Sequence, residues 1–315
     1  MKILKLILGD TEKGPKRAPF QSVLAGQSFA QFAETFRSGP APNDSIPSSN
    51  RAPDQAGSRA QSALEEFLRA TPDTLQDVRK LFSDISRSPS RPARQQILTD
   101  ICLQLGELKT QLALFHLRPA WQLTSAVEGL FQQLIDSPSQ LTLSTLRTAA
   151  SALVLLDSLC VPRLRRDLAH NPTVHILAVD DNFICCQAIL MSLKQTFAPP
   201  DVAEDGEAAL ALAAQKPYDM VFLDVEMPGM DGYEVCAGIH AWGANRHTPV
   251  VFVTSHSDFE SRAKSASSGG KDLIAKPFLS FEITVKALTL VLRSRLDESR
   301  SVQPEVTTSP ALAGA

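Results

Sequence analysis

The chain has 315 residues, of which 43% are hydrophobic, and a formal net charge of −3. This length suits about two domains with ordinary cores, and the slightly acidic balance gives no electrostatic reason to expect direct binding to nucleic acid. The five cysteines form no paired CxxC motifs, and no apolar stretch reaches the length of a signal-peptide core or a membrane span. We therefore expect a cytoplasmic protein with reduced thiols and no membrane contact.

The N-terminal region differs in composition from the rest of the chain. Residues 10–61 are rich in Pro, Ser, Gly, Ala and charged side chains, and they show no sustained hydrophobic period. This composition predicts a flexible extension over residues 1–61, with one weak helix at 27–37.

Residues 62–162 carry four apolar stripes at helical spacing. The first helix is predicted to start at the capping box Ser62-x-x-Glu65 and to break or restart at Thr71-Pro72. A second stripe runs from Ile97 to Leu112, a third ends at Ser137-Pro138, and a fourth follows Thr142. Because each stripe must bury its apolar face, the pattern predicts an all-α four-helix bundle. A proline-bounded linker is then predicted over residues 163–173.

Residues 174–296 alternate β-branched apolar runs with amphipathic stretches, which predicts an α/β domain with a parallel sheet. Five strands are predicted, at 174–179, 201–204, 219–224, 249–254 and 273–275. Helices are predicted near 183–197, 206–215, 231–242, 257–268 and 280–296, with Ser257-x-x-Glu260 as a capping box. Residues 297–315 return to Ser, Pro, Ala and Gly, which predicts a disordered tail.

Polar residues follow the predicted strands at the points where they end. Asp180 and Asp181 follow the first strand, Asp224 ends the third, Thr254 ends the fourth, and Lys276 follows the fifth. The carboxyl ends of parallel strands meet at one edge of a sheet, so these side chains should converge. Three acids packed together repel one another, and Mg²⁺ would relieve that repulsion. The set therefore suits phosphoryl transfer, with Asp224 as nucleophile and Thr254 and Lys276 binding oxygens of the transferred group.

Four segments resemble the successive motifs of receiver domains of two-component response regulators: HILAVDDN, VFLDVEMPGMDG, VVFVTS and LIAKPF. The resemblance covers about 120 residues, from roughly 174 to 296. It implies a flavodoxin-like (βα)₅ fold in which Asp224 is the phosphoacceptor. It further implies that Asp181, Asp224 and the main-chain carbonyl of Glu226 surround Mg²⁺, with Asp180 in an outer acidic shell. Thr254 and Lys276 would sense the phosphoryl group, and the donor would be a sensor histidine kinase.

Three positions bear on how phosphorylation would change the conformation and how long the phosphoryl group would last. Receivers commonly have an aromatic residue three positions before the lysine, where this chain has Leu273. Glu226 and His256 lie two residues beyond Asp224 and Thr254, where receiver side chains tend to flank the water that hydrolyses the acyl phosphate. We expect these two to set the dephosphorylation rate; an exposed residue before a helix cap is an equal alternative for His256.

The predicted bundle resembles a histidine-phosphotransfer domain, although its reactive histidine is missing. The segment GELKTQLALFHL, aligned through the following SAVEGLF, places Gly106 where the family has histidine and retains Leu108-Lys109. The alternative nucleophile is His116, for which a loop or packing role is favoured because it lies in a turn before Pro119. The bundle is therefore interpreted as a degenerate domain kept for docking or dimerisation.

These features predict a phosphorylation-controlled interaction protein that is not an enzyme beyond its own phosphorylation and slow dephosphorylation. Its expected partners are a sensor histidine kinase or phosphotransfer protein, an unknown downstream protein and, in a homodimer, a second copy of the chain. The face built from 257–268, 273–275 and 280–296 would change its affinity for a partner or for the bundle. The alternatives are an active phosphorelay intermediate using His116 and a transcriptional regulator acting through a partner.

Overall fold

The computed structural model describes residues 55–88, 90–160, 173–255 and 264–301. Helices come first in the chain, as predicted: α1 (Gln55–Ile85), α2 (Arg91–Leu114), α3 (Arg118–Asp136) and α4 (Leu143–Leu159). The α/β region follows, with β1 (Ile176–Val179), α5 (Phe183–Leu193), β2 (Asp201–Ala203), α6 (Gly206–Gln215), β3 (Met220–Asp224), α7 (Gly232–Ala241), β4 (Val250–Thr254), β5 (Asp272–Ala275) and α8 (Ser280–Ser301). Residues 264–267 are also helical. Within the described ranges, no helix has both the length and the apolarity of a membrane span.

The helix termini explain most of the bundle's boundaries. Ser90 caps α2 by accepting a hydrogen bond from the Ala93 N–H, and Thr142 forms a capping box with Thr145 at the start of α4. α3 ends at Asp136, immediately before Ser137-Pro138, as the sequence predicts.

Helix α1 differs from its prediction at two points. It begins at Gln55, within the segment assigned to the flexible extension, and it continues through Pro72 instead of breaking there. Burial of Leu75, Val78 and Ile85 in the bundle core accompanies this continuation, because tertiary packing outweighs the cost of one proline inside a long helix. The predicted helix at 27–37 and most of the predicted linker lie outside the described residues.

The sheet has five parallel strands in the order β2-β1-β3-β4-β5, with helices on both faces. This strand order is that of the flavodoxin-like doubly wound fold, which confirms the predicted fold class. All four residues of β1 and all five of β3 and β4 are buried, as expected for strands covered on both sides.

Helix α8 belongs to two cores at once. One face packs on the sheet and α5 through Ile283, Ala287, Leu290 and Val291. The opposite face enters the bundle core, where it packs against α3 and α4; its residues there are Phe281, Val285, Leu288, Leu292 and Leu296. The bundle therefore covers the 280–296 part of the face that the sequence singled out for a switch. The helix also runs to Ser301, beyond the start of the predicted tail at residue 297.

Candidate functional site

Four strands deliver the predicted site residues to one edge of the sheet. Asp180 directly follows β1, Asp224 is the last residue of β3, Thr254 is the last of β4, and Lys276 follows β5. These strands are neighbours in the order β1-β3-β4-β5 and all run in parallel, so their carboxyl ends lie side by side.

The Lys276 ammonium group joins two buried carboxylates at this edge. Its Nζ atom lies 2.7 Å from Asp180 Oδ2 and 2.8 Å from Asp224 Oδ2. Asp180 is fully buried and Asp224 is 4% exposed, so these are ion pairs shielded from water. Removing one partner from such a cluster leaves a charge uncompensated, which is far more costly than breaking a surface pair.

A third carboxylate, Asp181, lies beside this pair and is exposed to solvent. Oxygen atoms of Asp180, Asp181 and Asp224 lie within 4.8 Å of one another and form the one group of three or more potential metal ligands found among the described residues. Mg²⁺ prefers a few carboxylate oxygens and keeps several waters, and the exposed Asp181 leaves the group open to water. The donor set therefore fits a hard divalent cation.

The protonation of the site is governed by burial and by Lys276. Burial raises the pKa of the Asp224 carboxyl above its usual value, with Asp180 adding to the rise and Lys276 opposing it. For Lys276, burial disfavours the charged ammonium, but contacts with Asp180 and Asp224 outweigh burial and raise its pKa. The lysine therefore stays cationic, whereas the Asp224 carboxyl holds its proton more tightly than an exposed aspartate does.

The loop after β3 holds the Asp224 carboxyl from its own backbone. The Val225 N–H donates to Asp224 Oδ1 at 2.8 Å, and the Gly232 N–H returns to the Val225 carbonyl at 3.0 Å. A side chain at Gly232 would place its Cβ 2.1 Å from the Asp224 carbonyl oxygen, so only glycine allows this close approach. Gly229 supports the turn with a φ of +83°.

The remaining predicted residues lie as follows. Thr254 is buried, and its carbonyl accepts the Lys276 N–H at 2.8 Å; Glu226 is exposed; and Leu273 is 3% exposed, packed in the core on the α6 and α7 side of the sheet. His256 and the predicted cap at 257–260 lie outside the described residues. The placement of His256 near Asp224 therefore stays a prediction.

In the bundle, the structure separates the two phosphotransfer candidates. Gly106 lies within α2, and the neighbouring Lys109 pairs with Glu128 of α3. A Cβ at Gly106 would lie 3.4 Å from Glu128 Oε1. His116 is exposed in the turn between α2 and α3 and has a φ of 55°, which agrees with the turn position read from the sequence.

Two cysteines that lie outside the predicted site residues border the site. The Cys186 thiol donates to the Asp180 carbonyl at 3.3 Å, and Cys185 is buried near Lys276 and the two aspartates. Burial raises the pKa of Cys185 to about 11 and that of Cys186 to about 12, so both remain neutral thiols. The only sequence signal for them was their place in the first turn after Asn182, which caps α5.

Comparison with known proteins agrees with the fold of the α/β region. Residues 176–288 match the family model described as the response regulator receiver domain. The C-terminal α/β region is therefore a receiver domain of two-component phosphorelay systems.

Three individual proteins show the extent of the similarity. The chain is 33% identical over 131 residues to the signal transduction histidine-protein kinase BarA of Shigella flexneri. This alignment covers 42% of this chain and 14% of that protein. It is 33% identical over 119 residues to the transcriptional regulatory protein ResD of Bacillus subtilis, covering 38% of this chain and 48% of that one. Among solved structures, Vibrio cholerae chemotaxis protein CheY4 is 28% identical with a TM-score of 0.36, covering 38% of this chain and 98% of that one. The chain thus spans less than half the length of these two curated relatives.

Proposed function

We propose that this protein is a response regulator in which Asp224 accepts a phosphoryl group in a Mg²⁺-dependent reaction. The observation that carries the proposal is the contact of one ammonium, Lys276, whose side chain is 14% exposed, with two buried carboxylates beside the solvent-facing Asp181. A purely structural ion pair needs one carboxylate for one ammonium. This edge instead gathers three carboxylates around one ammonium, and burial already disfavours ionisation of one of them, Asp224. Such an arrangement is typical of a site built to receive a further ligand.

The residues supply positioning and charge neutralisation. One oxygen of the Asp224 carboxylate attacks the phosphorus of the donor; an O–P bond forms, and the bond to the leaving group breaks with its electron pair. Lys276 remains protonated and binds an oxygen of the transferred group, and the Thr254 hydroxyl binds another. Because Lys276 already contacts Asp224, it needs little rearrangement to follow the charge onto the phosphoryl oxygens.

The cation would be held by Asp181, Asp224 and the Glu226 carbonyl, with Asp180 in the outer shell. When bound, Mg²⁺ neutralises charge on the transferred group. Asp180 already has Lys276 at 2.7 Å and the Asn182 N–H at 2.9 Å, which suits a supporting role better than a direct ligand.

The phosphoryl donor would be a sensor histidine kinase or a phosphotransfer protein, and the output would be a protein contact. No catalysis beyond self-phosphorylation and slow dephosphorylation is proposed. Glycine at position 106 supplies no nucleophile, so the phosphotransfer-like bundle would serve as a docking or dimerising surface. A downstream protein or a second copy of the chain would occupy it.

Intact mass spectrometry tests the central step. The protein would be incubated with acetyl phosphate and Mg²⁺, and one added phosphoryl group is expected in the wild type and none in Asp224→Asn. The matched control is Asp205→Asn, since Asp205 is a carboxylate that caps α6, where asparagine caps equally well. Equal phosphorylation of wild type and Asp224→Asn would contradict the proposal.

Two further assays separate the alternatives. The phosphate should be acid-stable and base-labile, as an acyl phosphate is; acid-labile phosphate that disappears in His116→Ala would indicate an active phosphorelay intermediate instead. A salt-dependent gel shift at modest protein concentration would indicate direct DNA binding and contradict an output through protein contacts.

A further inference from the structure

The bundle and the receiver domain meet through a closely fitted interface. The Phe281 ring of α8 packs on α3 at Gly129, where an added Cβ would lie 2.7 Å from ring atoms. Gln133 of α3 donates to Ser280 Oγ at 2.8 Å and accepts the Phe281 N–H at 3.1 Å. This fit indicates that α8 and the bundle are matched to each other.

A carboxylic acid is buried in the same interface. Glu282 is 1% exposed, and its Oε1 contacts the hydroxyl of Ser144, the second residue of α4. The Ser144 hydroxyl also lies 3.3 Å from the carbonyl oxygen of Leu273 in β5. Thus one hydroxyl of the bundle lies between two oxygen acceptors of the receiver.

A serine hydroxyl has one proton and can donate it to only one acceptor at a time. When Glu282 is protonated, its O–H donates to Ser144, and Ser144 donates to the Leu273 carbonyl, so the carboxyl proton and that carbonyl both have partners. When Glu282 is ionised, its carboxylate accepts from Ser144, and the Leu273 carbonyl loses that donor. Losing a partner at a buried carbonyl destabilises the contact.

The surroundings of Glu282 place this change near neutral pH. The charged groups that face it are Lys286 of α8, which favours ionisation, and Asp272 of β5, which opposes it; α4 presents the hydroxyls of Ser144 and Thr148. Lys286 is itself committed to Asp272, with its Nζ 2.6 Å from Asp272 Oδ2. Burial therefore dominates and raises the pKa of Glu282 to about 7.

Strand β5 gives this contact a route to the functional edge. Leu273 lies three residues before Lys276, and the Lys276 N–H is bonded to the Thr254 carbonyl of β4. The Leu273 N–H is bonded to the Asp272 side chain at 2.8 Å, as expected for an outward-facing group of an edge strand. The bundle thus supplies the donor for the outward carbonyl of the strand that leads to Lys276.

We propose that Ser144 and Glu282 form a proton-dependent contact through which the helical bundle holds strand β5 and so positions Lys276. The contact is complete when Glu282 is protonated and weakens as it ionises. Its effect on phosphorylation rests on the proposed function, whereas the contact itself does not.

The direction of the pH dependence follows from linkage. A carboxyl group whose pKa is raised from 4.5 to about 7 on folding binds its proton more tightly in the native state. The stabilisation is therefore full below about pH 4.5 and is lost as pH rises towards 7. Across that window, this group should raise the unfolding equilibrium constant on the order of a hundredfold.

Urea unfolding of Glu282→Gln from pH 4.5 to pH 8 tests the titration. Glutamine cannot ionise, yet it donates to Ser144, so the ratio of wild-type to variant unfolding constants should rise on the order of a hundredfold over this range. The control is Gln133→Ala, which removes an uncharged contact of the same interface and should give a ratio that does not change with pH. A pH-independent ratio for Glu282→Gln would overturn the proposal. Should that variant fail to fold, a carboxyl ¹³C titration of Glu282 in the wild type decides, and an ordinary pKa would likewise overturn it.

Hydrogen exchange of residues 272–275 at pH 5.5 tests the hold on β5. Exchange there should accelerate several-fold in Ser144→Ala but not in Gln133→Ala, because Gln133 contacts α8 and not the strand. Equal exchange in the two variants would contradict the proposal. Both measurements are made without a phosphodonor, so failure of Asp224 to accept phosphate would leave their outcome unaffected.

Discussion

The shared helix α8 makes a strong prediction about how the protein unfolds. Phe281 is 1% exposed and lies in the bundle core, yet it is part of the helix that also covers the sheet. Truncation of a buried phenylalanine to alanine costs about 3–5 kcal/mol through lost burial and the cavity that remains. Because single domains are stable by only about 5–15 kcal/mol, Phe281→Ala should remove a large share of the total.

The two tryptophans allow both regions to be followed separately. Trp121 is buried in α3 of the bundle, and Trp242 is half exposed at the end of α7 in the receiver. Single-tryptophan variants, with phenylalanine at the other position, would be unfolded in urea. We expect coincident transitions in the parent protein and an equal downward shift of both midpoints in Phe281→Ala.

The control is Phe183→Ala, which removes the same side chain where it is 62% exposed and should change stability by no more than about 0.5 kcal/mol. If only the Trp121 transition moved in Phe281→Ala, or if the two parent transitions were separate, the two regions would fold independently. The inference of a shared core would then be wrong.

Three further predictions concern the interface and the site. Gly129→Ala should lower the free energy of unfolding by about 1–3 kcal/mol, because it forces a Cβ against the Phe281 ring. The double variant with Phe281→Ala should lose much less stability than the sum of the two single losses, as urea unfolding of all four proteins in a double-mutant cycle would show. Lys276→Met should abolish phosphorylation. It should also lower the free energy of unfolding of the metal-free protein by about 3–5 kcal/mol, because Asp180 and Asp224 lose their ammonium partner; Lys264→Met, at an exposed lysine, is the control. Because the pKa of Asp224 is raised, protons should compete with Mg²⁺ above the usual range of an aspartate, so affinity measured by calorimetry should increase with pH until Asp224 is fully ionised; a pH-independent affinity would contradict this.

Patterns within short stretches of sequence were enough to predict the α/β region and the acidic edge of its sheet. Most strands were identified from short apolar runs rich in β-branched residues, and each site residue from its place at or just after the end of such a run. Since parallel strands place their ends at one edge, Asp180, Asp224 and Lys276 could be brought together without coordinates. The errors fell on the ends of α8 and α1; in α1 the sequence rules for caps and prolines were overridden by burial in the bundle.

The sequence by itself therefore determined the α/β class of the second region, the four bundle helices and the acidic edge, because these depend on periods and turns within short segments. Only the tertiary structure decided that α8 is shared by two cores, and that Ser144 meets Glu282 across 138 residues of chain. An apolar stripe shows that a helix must be covered but not which element covers it, although the apolar residues around most of α8 are a signal for burial on two sides. The pKa of Glu282 likewise depends on what surrounds its carboxyl, which the linear order of residues does not specify.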